Sequence, residues 1–95
     1  MFNKESIVSP DLPSVYHIRV NYCMATLGKI TIWFSFSVPI AFSIHGSVPT
    51  YRVNDWGQST GRHLNDIGRH RKEDRIPGVE FEARLLDAMK GFYST

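Results

Sequence analysis

The sequence predicts a small α+β domain: a mainly antiparallel sheet of three to four strands, packed on one face by a C-terminal α-helix. Two observations carry this. Every even position from 30 to 44 is apolar (Ile30, Ile32, Phe34, Phe36, Val38, Ile40, Phe42, Ile44), while Thr31, Trp33, Ser35, Ser37, Pro39, Ala41 and Ser43 fill the odd ones. Such period-two alternation, rich in β-branched and aromatic residues, marks strands with one face on a core. Further along the period changes: Phe81, Leu85, Ala88, Met89 and Phe92 recur at three- and four-residue spacing, the apolar stripe of a helix.

In chain order, residues 1–13 are polar and carry Pro10 and Pro13, and read as an N-terminal arm ahead of a single domain over 14–95. A first strand is expected over 15–23, with Tyr16, Ile18, Val20 and Tyr22 on one face, followed by a turn through Ala25–Lys29. The 30–44 run gives two strands, or one long bent strand, sharing an inward face. Pro39 cannot donate to a ladder and marks a bend, a bulge or an edge. His45-Gly46-Ser47 reads as a turn because glycine reaches positive φ without strain, and a return strand over 48–53 points Tyr51 and Val53 inward. Ser59-Thr60-Gly61 begins a short helix expected to run to about Arg71, with Ser59 and Thr60 as caps and a thin apolar stripe of Leu64 and Ile67. The charged link Arg69–Asp74 leads to Pro77-Gly78, which opens the second helix. Glu80 and Glu82 fall in its first turn and Lys90 in its last, the favourable sense for the helix dipole.

Composition narrows the function classes. With 42% hydrophobic and 21% charged residues the chain is globular rather than disordered, and a net charge of +2 does not by itself argue for nucleic acid. Cys23 is the only cysteine, so no internal disulfide forms, which fits a reducing cytoplasm. Between Ile30 and Tyr51 there is no Lys, Arg, Asp or Glu, yet serines, prolines and Gly46 interrupt the run, so no membrane span is expected. The first fifteen residues lack the apolar run of a signal peptide.

The motifs for chemistry are weak. His63 and His70 lie seven apart with Asp66 and Asp74 just beyond them, but the close ligand doublets of a zinc site are missing. Ser59, Thr60, His63 and Asp66 cluster without a nucleophile elbow, and Gly57, Gly61 and Gly68 lack both the P-loop lysine and the dinucleotide spacing. Accordingly no catalytic residue, metal or cofactor is assigned, and the chain is not expected to be an enzyme. The basic stretch 62–75 sets Arg62, Arg69, Arg71, Lys72 and Arg75 against Asp66, Glu73 and Asp74. Phosphates favour such patches, and Trp33, Tyr51 or Trp56 are candidates to stack on unpaired bases. An exposed tryptophan beside arginines equally suits a protein–protein hot spot.

The segment from Phe34 to Ile67 carries a more specific pattern: Phe34-Ser35-Phe36, Pro39-Ile40-Ala41-Phe42, Gly46, Asn54, Trp56, then Thr60-Gly61-Arg62-His63-Leu64-Asn65. It resembles an uncharacterised family of short phage- and plasmid-encoded proteins that share an FSY strand, a PVAF step, a glycine turn, an NxW word and TTGKHLN. The likeness spans about a third of the chain, with Phe36, Ser59 and Arg62 as mild departures. It implies an accessory binding protein acting in the host cytoplasm, of the kind that inhibits a host defence complex, CRISPR-type or nuclease, by covering a surface. The partner would be a host protein or a protein–nucleic acid complex, with weak nucleic-acid contact beside it; the alternative, which rests on the basic stretch 62–75, is a small nucleic-acid-binding or regulatory protein. Trp56, Arg62, His63, Asn65, Arg69 and Arg71 are the expected partner-binding residues. A free sheet edge would offer a second copy a place to pair.

Overall fold

Short turns at eight-residue intervals set the first half of the fold. They fall at 20–21, 28–29 and 36–37, and each reverses the chain between strands. The structure, a computed structural model, describes residues 14–93 and the side chains of residues 14–90. The expected N-terminal arm and the Phe92 side chain lie outside the described residues. Strands β1 (Ser14–Arg19), β2 (Tyr22–Leu27), β3 (Ile30–Ser35), β4 (Val38–Ile44) and β5 (Thr50–Tyr51) form one antiparallel sheet in sequence order. Helix α1 (Gln58–Ile67), a 3-10 turn at Lys72–Asp74 and helix α2 (Gly78–Tyr93) follow.

There are five strands because the segment 15–23 is a hairpin and not one strand. Asn21 takes φ 61°, and Arg19 pairs with Tyr22 and Tyr16 with Met24. The register shifts at Ile18, and that extra residue keeps Tyr16 and Tyr22 on one face, so the letters alternate straight through the reversal. The next turn is shorter than expected: Ala25–Leu27 belong to β2, and Gly28 (φ 60°) with Lys29 makes the connection. Glycine at the first central position is what a two-residue hairpin of this hand requires.

The shared even-position face holds only in part. Ile30, Ile32 and Phe42 are buried against Phe81 and Leu85 of α2, with Leu27, Phe34, Ile76, Ala88 and Met89 around them. Phe36, however, sits in the β3–β4 turn, 51% exposed. At β4, Trp33 pairs with Ala41 and Phe34 with Pro39. Ile40 is therefore an extra residue, a bulge next to the proline that cannot extend the ladder. It turns into the opposite core with Ala41, Tyr51 and Leu64, backed by Trp33 and Ile67. The sheet is thus covered on both faces, α2 on one as expected and α1 on the other. Fully burying a Leu, Ile or Phe side chain contributes about 1.5–3 kcal/mol, so the two small clusters hold the helices comparably.

The return strand is shorter than 48–53. Only Thr50 and Tyr51 join β4; beyond them Arg52 bridges Ile76 in parallel. The Ile76 N–H donates to the Tyr51 carbonyl at 2.8 Å and the Val53 N–H donates to the Ile76 carbonyl at 2.8 Å. This strap ties the end of the sheet to the link before α2 and brings residues 72–76 beside α1. Helix α1 stops at Gly68, short of Arg71. No helix among the described residues is long and apolar enough to cross a membrane.

Candidate anion-binding groove on helix α1

The approach to α1 is fixed by Asn54. Its Oδ1 accepts from the backbone N–H of Trp56 at 3.0 Å and of Gly57 at 3.3 Å, and its Nδ2 donates to the Gly57 carbonyl at 2.9 Å. A Cβ on Gly61 would come within 3.2 Å of that Nδ2, so the bare glycine lets the loop close on the helix. Ser59 and Thr60 are inside α1 rather than capping it, and Gly57 occupies the N-cap position with no side-chain cap bond. Thr60 has a different partner.

On the inner face of α1, Thr60, His63 and Leu64 are buried. The Ser35 hydroxyl at the end of β3 lies 3.0 Å from Thr60 Oγ1 and 2.6 Å from His63 Nδ1. The imidazole stacks on Tyr22 with ring centres 4.5 Å apart and planes 6° from parallel. Burial holds His63 below the ordinary histidine range, with Arg19 adding to the effect and Asp66 opposing it. Burial also pushes the Tyr22 phenol up to about 12, the nearby Asp66 carboxylate adding to that. A serine bonded to a histidine is within reach of proton transfer, but Ser35 is 2% exposed and shares its oxygen with Thr60. The network works as a polar joint between sheet and helix.

The outer face sorts the charges of the basic stretch. Asp66 pairs with Arg19 at 3.3 Å. Asp74 accepts from the Arg71 backbone N–H at 3.0 Å and faces its guanidinium at 3.8 Å. Glu73, the third acid of the stretch, is exposed and does not line the open groove of about 520 Å³ that runs along α1, whose lining has Arg62, Lys72 and Arg75 but no carboxylate. Asn54, Gln58 and Asn65 complete its polar walls, with Gly57 and Gly61 as floor.

Arg75 is the best-held of these cations. Its Nε–H donates to His70 Nε2 at 3.0 Å and its Nη2 to Asn65 Oδ1 at 3.2 Å. His70 is held in turn by stacking on buried Tyr51, 3.6 Å between ring centres. Its Nδ1 lies 3.0 Å from the Gly68 carbonyl, and since a carbonyl only accepts, Nδ1 carries the proton and Nε2 is the acceptor for Arg75. The guanidinium is fixed by neutral acceptors and has no ion pair among the described residues.

A second pocket, of about 460 Å³, adjoins the groove through Gly57 and Gln58, which line both, and its apolar wall includes Phe36 and Trp56. Trp56 is 48% exposed and rests on the Arg52 guanidinium, 5.0 Å from its ring centre. Arg52 is itself fixed by Glu82 at 2.9 Å, with its Nε buried and unbonded.

Of the residues expected to meet a partner, Trp56, Arg62, Asn65, Arg69 and Arg71 lie at the surface. Arg62 and Asn65 share the groove, Trp56 borders it, and Arg69 and Arg71 line a neighbouring depression with Asp74 that meets the groove at Asn65. His63 is buried in the joint, where it places α1. Tyr51 and Trp33 are packed in the core, which leaves Trp56 as the exposed ring of the three. Lys72 and Arg75 had no individual role in the sequence. The signal for them lay in the net charge of 62–75, and only the strap at Ile76 shows which of those cations meet. No known family model, curated protein or solved structure matches the chain, and the site is read on its own geometry.

Proposed function

We propose that this chain is an accessory binding protein of the kind carried by phage and plasmids, acting in the host cytoplasm by occluding an anionic surface of a host defence or nuclease complex. The groove without a carboxylate supports this best. An arginine held in fixed geometry by an imidazole and an amide keeps an unmatched charge, the arrangement that accepts an anion from outside. Half-exposed Trp56 at its border supplies the aromatic anchor common at binding hot spots. Arg62, Asn65, Lys72 and Arg75 make the contact, Trp56 anchors it, and Arg69 and Arg71 flank it.

Capture from a host lysate by the immobilised chain tests this, with the Arg62→Ala, Lys72→Ala double variant beside it. Both side chains are exposed and form no ion pair among the described residues, so the variant keeps the wild-type melting temperature. The expected result is a defined complex retained by the wild type, released by salt and lost with the double variant. Equal capture by both proteins would overturn the proposal. Direct contact with nucleic acid is a second reading, favoured by the aromatic pocket beside the groove.

A further inference from the structure

We infer that the groove and the adjoining pocket form one site for single-stranded nucleic acid, with phosphates along Arg62, Lys72 and Arg75 and an unpaired base between Phe36 and Trp56. This rests on the anionic-partner reading above and names that partner's chemistry.

Three observations carry it. The two depressions are continuous, because Gly57 and Gln58 line both. A cationic track beside aromatic rings is the arrangement that binds a single strand, charge following the backbone and rings stacking on bases. Trp56 is backed by Arg52, which Glu82 holds, so its ring is a firm platform with about half its surface open. Phe36 is the third. It and Ser37 take φ 51° and 68°, left-handed values that a bulky side chain adopts only under strain. An Asn-Gly pair would close the same turn without it. The fold therefore tolerates a strained turn that presents an aromatic ring to solvent at the pocket wall.

The neighbouring chemistry argues for a strand and against a duplex. A base inside a double helix has its faces covered by its neighbours and cannot enter a pocket between two side chains. An acidic protein surface would use the groove but leave the aromatic pocket without a role.

The test is fluorescence anisotropy with labelled oligothymidylate, the same strand in a duplex, and labelled poly-glutamate, each measured across a salt series. Oligothymidylate is expected to bind, the duplex more weakly, and log K against log salt to fall with a slope of about −2 for three phosphate contacts on a single strand. Arg62→Ala should reduce the steepness by about 0.7. Phe36→Asn, which suits the left-handed turn, and Trp56→Leu should each lower single-strand affinity by about 5- to 150-fold while leaving the slope unchanged. Equal binding of strand and duplex, indifferent to Phe36→Asn and Trp56→Leu, would remove the base pocket and keep the anionic groove. Binding of poly-glutamate without oligothymidylate would overturn the nucleic-acid inference while the anionic reading stands. Binding of none of the three would overturn both.

Discussion

Ser35 and His63 are joined by a 2.6 Å hydrogen bond inside the joint between β3 and α1. The imidazole is buried and held below the ordinary histidine range, so the folded state resists its protonation. The unfolded chain binds that proton first, near the ordinary value of 6.5. Between the two values the unfolded state carries more protons, and stability rises with pH there. A loss of stability is therefore expected on the acid side: urea unfolding should show stability falling as the pH drops below about 7. In His63→Gln that slope should flatten, although the variant is less stable overall. An unchanged slope would place the titrating group elsewhere.

Ile40 and Ile44 have the same parity in the sequence and different surroundings in the fold. Ile40 is fully buried with Leu64 and Tyr51, whereas Ile44 is 38% exposed. Ile40→Ala should cost about 2–5 kcal/mol, the range for emptying a packed core site. Ile44→Ala should cost well under that, as residues with solvent on one side do. Chemical denaturation of the two variants decides it, and equal losses would mean that the bulge does not turn Ile40 into the α1 core.

Replacing Phe36-Ser37 with Asn-Gly should raise stability by about 1 kcal/mol, since both central residues already hold the positive φ that this pair prefers. The change removes a half-exposed ring whose aromatic contact among the described residues is with His63. A higher denaturation midpoint together with loss of binding at the neighbouring pocket would mark the strain as retained for function. A lower midpoint would show that Phe36 stabilises the turn through its tilted contact with His63, 6.0 Å between ring centres.

These residues also show what the letters could and could not tell. The sheet-and-helix class, the α2 stripe and a bend, bulge or edge at Pro39 follow from local chemistry, because side-chain period and a missing N–H are properties of the chain itself; which of the three it is needs the register of β4 on β3. The Val20-Asn21 turn was hidden because the extra residue at Ile18 preserved the alternation across it. Phe36-Ser37 was hidden because neither residue is one of the Asn, Asp or Gly types that signal positive φ in a two-residue hairpin. Within Thr60–Asn65, Thr60, His63 and Leu64 are spent on burial, Gly61 on the approach of Asn54 and Asn65 on Arg75, so that a pattern resembling a functional signature is largely structural. Arg62 alone there faces solvent without a bonded partner among the described residues. The meeting of Arg62, Lys72 and Arg75 depends on the Tyr51–Ile76 strap, a long-range pairing that no local pattern encodes.

His70 gives the last prediction, because it holds Arg75 without contributing to the groove's lining. His70→Phe keeps a ring to stack on Tyr51 but cannot accept from the Arg75 Nε–H. The charge of Arg75 stays while its orientation is released. If position matters, affinity for a polyanion should fall several-fold with the salt slope unchanged, since the number of cations is the same. Arg75→Ala should lower both affinity and slope. Loss of slope in His70→Phe would mean that Arg75 had left the groove altogether, and unchanged affinity would show that its charge acts without being held. Melting temperatures of the two variants, measured alongside, separate either effect from loss of the Tyr51 stack.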